Sequence, residues 1–385
     1  MADHVIDTSN AKADGLDKCP KCGSTEISLR PSTGMLVCHF CRHEWSEATI
    51  DEKFGLDASI GDLTGTVVTS GAAGGAESTD DVLTLKCGAC GAEVIVNTAE
   101  ALQARCHWCR QTLSVNSQVH NGAVPDGLLP FSITRDEAIA RISQFVKKRS
   151  FFANPKFVRE FAPTEVVGVY MPYFLLDANT HVDLTGFGEV LTRSYTRKRG
   201  DDEVRLYDAD VYQVARSFDL HIDDVVIESS GQRADIDWQR NTNNVINSIQ
   251  PFDVKAAVQY NANYLRGFTS EKRDLDVTGS ASEAYGRALS IGRARAEESL
   301  GRYDRGVRWE TEHLDVRGTR WVSVYLPVWL YSYYDGRLTH FVAVNGRTGE
   351  TMGSVPLRYG RLAAVSVGIG VLGTVVGGFL SLVVG

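Results

Sequence analysis

Several motifs are missing from this chain, and each absence removes a class of function. No G-x-x-x-x-G-K-[ST] loop occurs, so nothing is set up to cradle a triphosphate, which argues against a helicase or ATPase motor. There is no H-E-x-x-H pair and no nucleophile elbow, the signatures of zinc peptidases and serine hydrolases. Residues Met1 to Asn10 carry no apolar core, which argues against a signal peptide and against a secreted, disulfide-forming setting. Positive charge is in deficit, with 40 Lys and Arg against 48 Asp and Glu, a formal net charge of −8. An acidic chain is a poor non-specific nucleic-acid binder. Its local basic clusters, Lys147-Lys148-Arg149 and Arg193, Arg197, Lys198 and Arg199, read as a solvated helix end and a hairpin tip. Finally, the 24 residues from Leu362 to Gly385 contain no charge at all.

Cysteine, by contrast, is present in an ordered pattern with none left over. Cys19, Cys22, Cys38 and Cys41 read C-x2-C-x15-C-x2-C, and Cys87, Cys90, Cys106 and Cys109 repeat that spacing. Two CxxC knuckles supply four thiolates, the closed tetrahedral shell of a structural zinc ion. Two Zn2+ ions, one per set, are therefore expected. Disulfides and a rubredoxin-like iron are the alternatives that spacing leaves open. The flanks repeat too: Cys38-His39-Phe40-Cys41-Arg42 matches Cys106-His107-Trp108-Cys109-Arg110, and Gly23 and Gly91 follow the second cysteine of each first knuckle. Glycine there lets backbone N–H groups turn toward sulfur. His39, His43 and His107 lie beside ligands and read as surface or supporting residues. Four cysteines fill every position on the metal, which argues for structural rather than catalytic zinc.

The expected organisation is α+β. Residues 1–17 read as a disordered tail, 18–50 as a first ribbon, 51–81 as a flexible Gly/Ala/Ser-rich linker and 82–119 as a second ribbon. A body follows in two helix-plus-antiparallel-sheet lobes, 120–279 and 280–357, and 358–385 forms a transmembrane anchor. Thr134 and Glu137 form a capping-box pattern before a helix. Val166–Leu176, His181–Leu191, Arg205–Ser217 and Asp224–Glu228 read as strands, and Trp238–Ile249 and Ser282–Tyr303 as helices. Asp335-Gly336 and Asn345-Gly346 mark tight turns. The two-lobe expectation rests on an echo: Val169-Tyr170-Met171-Pro172-Tyr173-Phe174-Leu175 resembles Val324-Tyr325-Leu326-Pro327-Val328-Trp329-Leu330, with each proline expected at an edge or bulge. As a helix, Leu362–Gly385 would extend about 36 Å, enough to cross a bilayer core of about 30 Å. Arg358 and Arg361 before it hold the bulk of the chain in the cytosol under the positive-inside rule. Gly373 and Gly377 form a GxxxG step suited to self-association or a partner helix.

With these pieces the chain resembles the bacterial membrane-anchored transcription-factor-IIB-type zinc-ribbon proteins, often named primosomal or helicase-like. The resemblance is carried by Leu129-Pro130-Phe131, Gly168–Tyr173, Ile249-Gln250-Pro251-Phe252-Asp253, Tyr264–Phe268 with Glu271-Lys272, and Leu326–Leu330 through Val344–Glu350. It implies N-terminal ribbons, an α+β body and C-terminal membrane helices, and brings no catalytic residue. The expected function is a membrane-tethered cytosolic protein-interaction module, not a helicase and not an enzyme. The alternative is a membrane-associated nucleic-acid binder reading through Phe40, Arg42, Trp108 and Arg110, with rings and guanidinium groups stacked on bases. An enzyme would have to draw on Asp177, Asp183, Asp208, Asp210 and His181, scattered over strands.

Overall fold

The computed structural model describes residues 3–8, 18–56, 59–73, 82–87, 92–97, 105–110, 113, 118–119, 124–199, 202–230, 246–273 and 275–367. Its strands and helices, in chain order, are β1 (His4–Ile6), β2 (Ile27–Arg30), β3 (Met35–Cys38), β4 (Glu44–Trp45), α1 (Ile50–Phe54), β5 (Gly65–Thr69), β6 (Val82–Lys86), β7 (Glu93–Asn97), β8 (Gln118–Val119) and β9 (Gly127–Leu128). Then come α2 (Arg135–Arg149), α3 (Pro155–Glu160), β10 (Val167–Arg199), β11 (Asp202–Glu228), β12 (Val258–Gln259), β13 (Thr269–Glu271), α4 (Val277–Glu297), β14 (Val307–Tyr334), β15 (Thr339–Asn345) and β16 (Thr351–Gly353). The class is mixed α+β, as expected.

Three long strands dominate. β10 has 33 residues, β11 has 27 and β14 has 28, and β10 lies between the other two, antiparallel to both. The sequence dictates two zones along them. Residues 168–180 of β10 and 320–332 of β14 are buried without interruption, a zone covered on both faces. Farther out, Val182 and Leu184 alternate with more exposed neighbours, leaving one face wet. Glycine permits the close strand contact here: a Cβ on Gly186 would lie 2.2 Å from the Arg308 carbonyl oxygen.

The echo does not build two lobes. Met171 pairs with Leu326, its own counterpart, and Val169 with Val328, so the two copies meet antiparallel about a local two-fold at the centre of one sheet. Neither proline lies on an edge strand. Pro172 falls between the last β13 pairing at Tyr170 and the first β11 pairing at Tyr173; Pro327 falls between the β9 pairing at Tyr325 and the β15 pairing at Val328. Each sits where the neighbouring strand changes over, so its missing N–H leaves no ladder bond unmade.

Two other expectations are corrected. Part of the flexible-linker segment is structured: Thr49 and Glu52 form a capping box on α1, and β5 pairs parallel with Gly318–Trp321 of β14. Part of the disordered tail is a strand too, since β1 pairs parallel with Val67–Thr69 of β5. The buried Asp126 carboxylate ties these pieces to the body, accepting from Gly71 N–H (2.9 Å), Ser323 N–H (2.7 Å), Thr69 Oγ1 (2.5 Å) and Thr8 Oγ1. The Thr134–Glu137 capping box and both tight turns are present. The expected helix 238–249 falls largely outside the described residues, which resume with a short 3-10 turn at Asn247–Ile249. Residues 359–367 are helical, and the remainder of the expected anchor, with Gly373 and Gly377, lies outside the described residues. Among the described residues no helix is long and apolar enough to cross a membrane.

Candidate metal centre

The first cysteine set closes into one site. In its first knuckle Cys19 N–H donates to the Ser24 carbonyl (2.8 Å) and Gly23 N–H to the Cys19 carbonyl (2.9 Å), with Gly23 left-handed at φ +76°. In its second, Cys38 N–H donates to His43 O and Arg42 N–H to Cys38 O, both at 2.9 Å, with Arg42 left-handed at φ +62°. These turns gather the sulfurs: Cys19 to Cys41 and Cys22 to Cys38 are each 3.6 Å apart, and all four lie within 4.8 Å. Tetrahedral zinc with Zn–S bonds of about 2.3 Å needs sulfurs about 3.8 Å apart, so the donor set fits that ion. The Cys41 N–H, opposed by burial and helped by the Phe40 N–H, holds the Cys38 thiol below its ordinary value, while, against the Ser24 N–H, burial and the neighbouring cysteines push its partner Cys22 up.

The second set repeats the construction. Cys87 N–H donates to Ala92 O, the same five-residue reach as Cys19 to Ser24, and Arg110 N–H donates to Cys106 O, each at 2.8 Å. Arg110 is left-handed at φ +65°, as Arg42 is. Cys87 and Cys109 sulfurs are 3.4 Å apart, and Cys87, Cys106 and Cys109 converge within 4.8 Å. Cys90 lies outside the described residues. Both clusters are positioned to bind a metal ion.

The two ribbons meet the body differently. Strands β2, β3 and β4 form a small separate sheet whose Ile27, Leu36 and Cys38 join one apolar cluster with Ile142, Phe145 and Trp329 of the body. The Arg266 guanidinium fixes the attachment by donating to Thr25 O (2.7 Å) and Ile27 O (3.2 Å). The second ribbon instead enters the main sheet, with β7 pairing to Ser270 and Glu271 of β13. Its second knuckle faces inward. His107 is 1% exposed, so of the surface and supporting alternatives the surface one does not hold for it. Trp108 Nε1 donates to Glu271 Oε2 (3.0 Å) and its ring meets Phe341 edge-on at 5.1 Å. The equivalent knuckle of the first ribbon faces out: Phe40 is 76% exposed, His39 and Arg42 are exposed, and His39 turns to Ser28 Oγ at 2.7 Å.

The scattered acids divide among three places. Asp177 is buried and accepts from Arg320 Nε (2.9 Å) and from the Asp224 N–H (2.8 Å). Asp223 and Asp224, absent from the sequence-derived set, join it at the bulge between Leu176/Val225 and Ala178/Ile222. Burial, with the charge of Asp177 next, pushes the Asp224 carboxyl up to about 7. His181 lies elsewhere, against Asp219 (2.6 Å), Ser217 (3.0 Å) and Asp183 (3.6 Å), with the two aspartates well exposed. Asp208 faces Arg193 and Asp210 faces Val190, both far out on the hairpin. The sequence did contain one hint, the Asp223-Asp224 doublet at the start of the expected strand Asp224–Glu228, but only cross-strand register joins it to Asp177.

No protein-family model matches this chain, and no solved structure matches it. It is similar to a curated Bacillus subtilis (strain 168) protein named "Uncharacterized protein YdjG", 22% identical over 245 residues, which cover 64% of this chain and 67% of that one.

Proposed function

We propose that this chain is a zinc-held, membrane-tethered interaction module whose two ribbons have different jobs. Each cluster takes one Zn2+, with Cys90 completing the second. The metals are structural, since a four-thiolate shell leaves no position for substrate. The second ribbon is an internal strut, with Trp108 and His107 spent on contacts within the chain. The first ribbon is the contact surface, and the observation that carries this reading is the exposure of Phe40 where its counterpart Trp108 is packed. An exposed aromatic beside arginine is the composition of a protein-interaction anchor. The uncharged stretch Leu362–Gly385 supports tethering to a membrane with the bulk of the chain in the cytosol, and the Gly373/Gly377 spacing supports self-association.

Two measurements on the full chain test this. Elemental analysis gives two zinc ions per chain; fewer than one defeats the reading. A photo-crosslinking amino acid at position 40 gives a discrete adduct in cells, while the same group at position 108 gives none; no adduct from position 40 defeats the contact surface. The nucleic-acid reading retains only two of its four residues at an exposed knuckle, Phe40 and Arg42. It takes over if the chain binds single-stranded oligothymidine at low salt and Phe40→Ala abolishes that binding.

A further inference from the structure

α4 meets the sheet through small residues. Its buried positions are Ser280, Ala284, Ala288, Gly292 and Ala296, one stripe at helical spacing. Near its C-terminal end it lies close against β10: a Cβ on Gly292 would sit 3.1 Å from a Val182 methyl. Toward its start the gap widens into a cleft of about 480 Å³, with Ala281, Ala284 and Ala288 on the helix side and Leu176, Ala178 and Trp321 on the sheet side. Exposed Tyr285 and Val316 stand on its rim, so the cleft opens to solvent. Leucine at 284 or 288 would fill it, and alanine keeps it open. Ligand pockets span about 300–1,000 Å³, and apolar cavities admit apolar guests.

The lining also decides what kind of guest. Asp276 is the one charged residue among the described lining residues, and its carboxylate accepts the Gly279 N–H at 2.7 Å as the helix N-cap. Among the described lining residues there is no lysine or arginine to receive an anion. Two threonine hydroxyls on the sheet side already have partners: Thr180 Oγ1 donates to Leu220 O (2.8 Å), and Thr319 Oγ1 accepts from Trp321 Nε1 (3.1 Å). The remaining walls are largely methyl groups and the rings of Trp321 and Tyr285. We propose that this cleft is a binding site for an uncharged, largely hydrocarbon or aromatic small molecule, a function independent of the ribbons.

The probe is N-phenyl-1-naphthylamine, a neutral apolar fluorophore, titrated into the zinc-loaded full chain in lipid nanodiscs. Energy transfer from tryptophan reports binding, and empty discs give the background. The expected result is saturable binding of one probe per chain. Ala284→Trp and the milder Ala288→Leu should each weaken it at least tenfold, with zinc content unchanged and the melting temperature equal or higher. The anionic relative 8-anilinonaphthalene-1-sulfonate, built on the same ring frame, should bind at least tenfold more weakly beside Asp276. The proposal is overturned if the wild-type chain shows no saturable signal above empty discs, if both folded variants keep it, or if the sulfonate binds as well as the neutral probe.

Discussion

Removing the carboxylate of Asp126 should unfasten the N-terminal strands from the body. Four donors from three chain segments converge on that buried group: Thr8 beyond β1, Thr69 and Gly71 at the end of β5, and Ser323 of β14. In Asp126→Ala the hydroxyls can turn away, and Thr69 already reaches the Trp321 carbonyl at 3.1 Å. The Gly71 and Ser323 N–H groups cannot, and a buried donor left unpaired costs about 1–3 kcal/mol. The expected loss is therefore roughly 2–6 kcal/mol, a large part of the 5–15 kcal/mol typical of a folded domain. Asp126→Asn should lose about half of that, because each carboxylate oxygen faces one backbone N–H and the amide can accept only one of them. Urea unfolding followed by tryptophan fluorescence measures both. A sign test accompanies it. Burial raises the Asp126 carboxyl above its unfolded value of 3.8, so the folded state binds the proton more tightly. The stability this contributes is full below the unfolded value and is lost as pH rises through the folded one. The advantage of wild type over Asp126→Asn should narrow as pH rises. An alanine variant that loses less than about 1 kcal/mol, or an advantage that widens with pH, would refute the reasoning.

Three further outcomes are expected. Stripping the metal with a chelator should lower the unfolding midpoint of the body as well as the ribbon, because Cys38, Ile27 and Leu36 share an apolar cluster with Phe145 and Trp329; an unchanged midpoint argues that the ribbon is independent. Trp108→Ala should cost about 2–3 kcal/mol and Phe40→Ala within about 0.5, read by the same urea curves, since one ring is half-buried against Phe341 and the other is in water. Asp224 has a folded pKa of about 7, above the ordinary 3.8, so its contribution is present at acid pH and lost as pH rises through 7. Asp224→Asn should flatten that loss, gaining on the order of 1–2 kcal/mol over wild type between pH 5 and pH 8, and pH-dependent melting curves that stay parallel would contradict this.

What the amino-acid order made legible was local chemistry. The cysteine spacing named two clusters because a CxxC turn is short enough to read directly, and the capping box at Thr134 and Glu137 announced its own helix for the same reason. Pairing between distant segments was invisible. Pro172 and Pro327 read as edge or bulge residues because a proline spoils a ladder, yet a central strand tolerates one wherever its neighbour changes over, and that depends on where β9, β11, β13 and β15 begin and end. The Gly-rich segment after the first ribbon looked like a tether by composition, but β5 within it gains a partner in β14, and Gly318 lets the chain pass: a Cβ there would lie 2.3 Å from the Leu63 backbone.

The repeated motifs carry one further lesson. The strand echo and the ribbon echo have different outcomes. The strand copies meet each other at Met171 and Leu326, so their likeness serves a local two-fold inside one sheet. The ribbon copies keep the same knuckle turns, down to the left-handed arginines Arg42 and Arg110, and in both these turns bring cysteine sulfurs within 4.8 Å of one another. Their outer residues diverge in use: Trp108 can donate to Glu271, whereas a phenylalanine ring at position 40 has no such N–H to give. The shared residues thus go with the common sulfur-gathering turn, and the single ring that differs marks where one copy was turned inward and the other left facing the solvent.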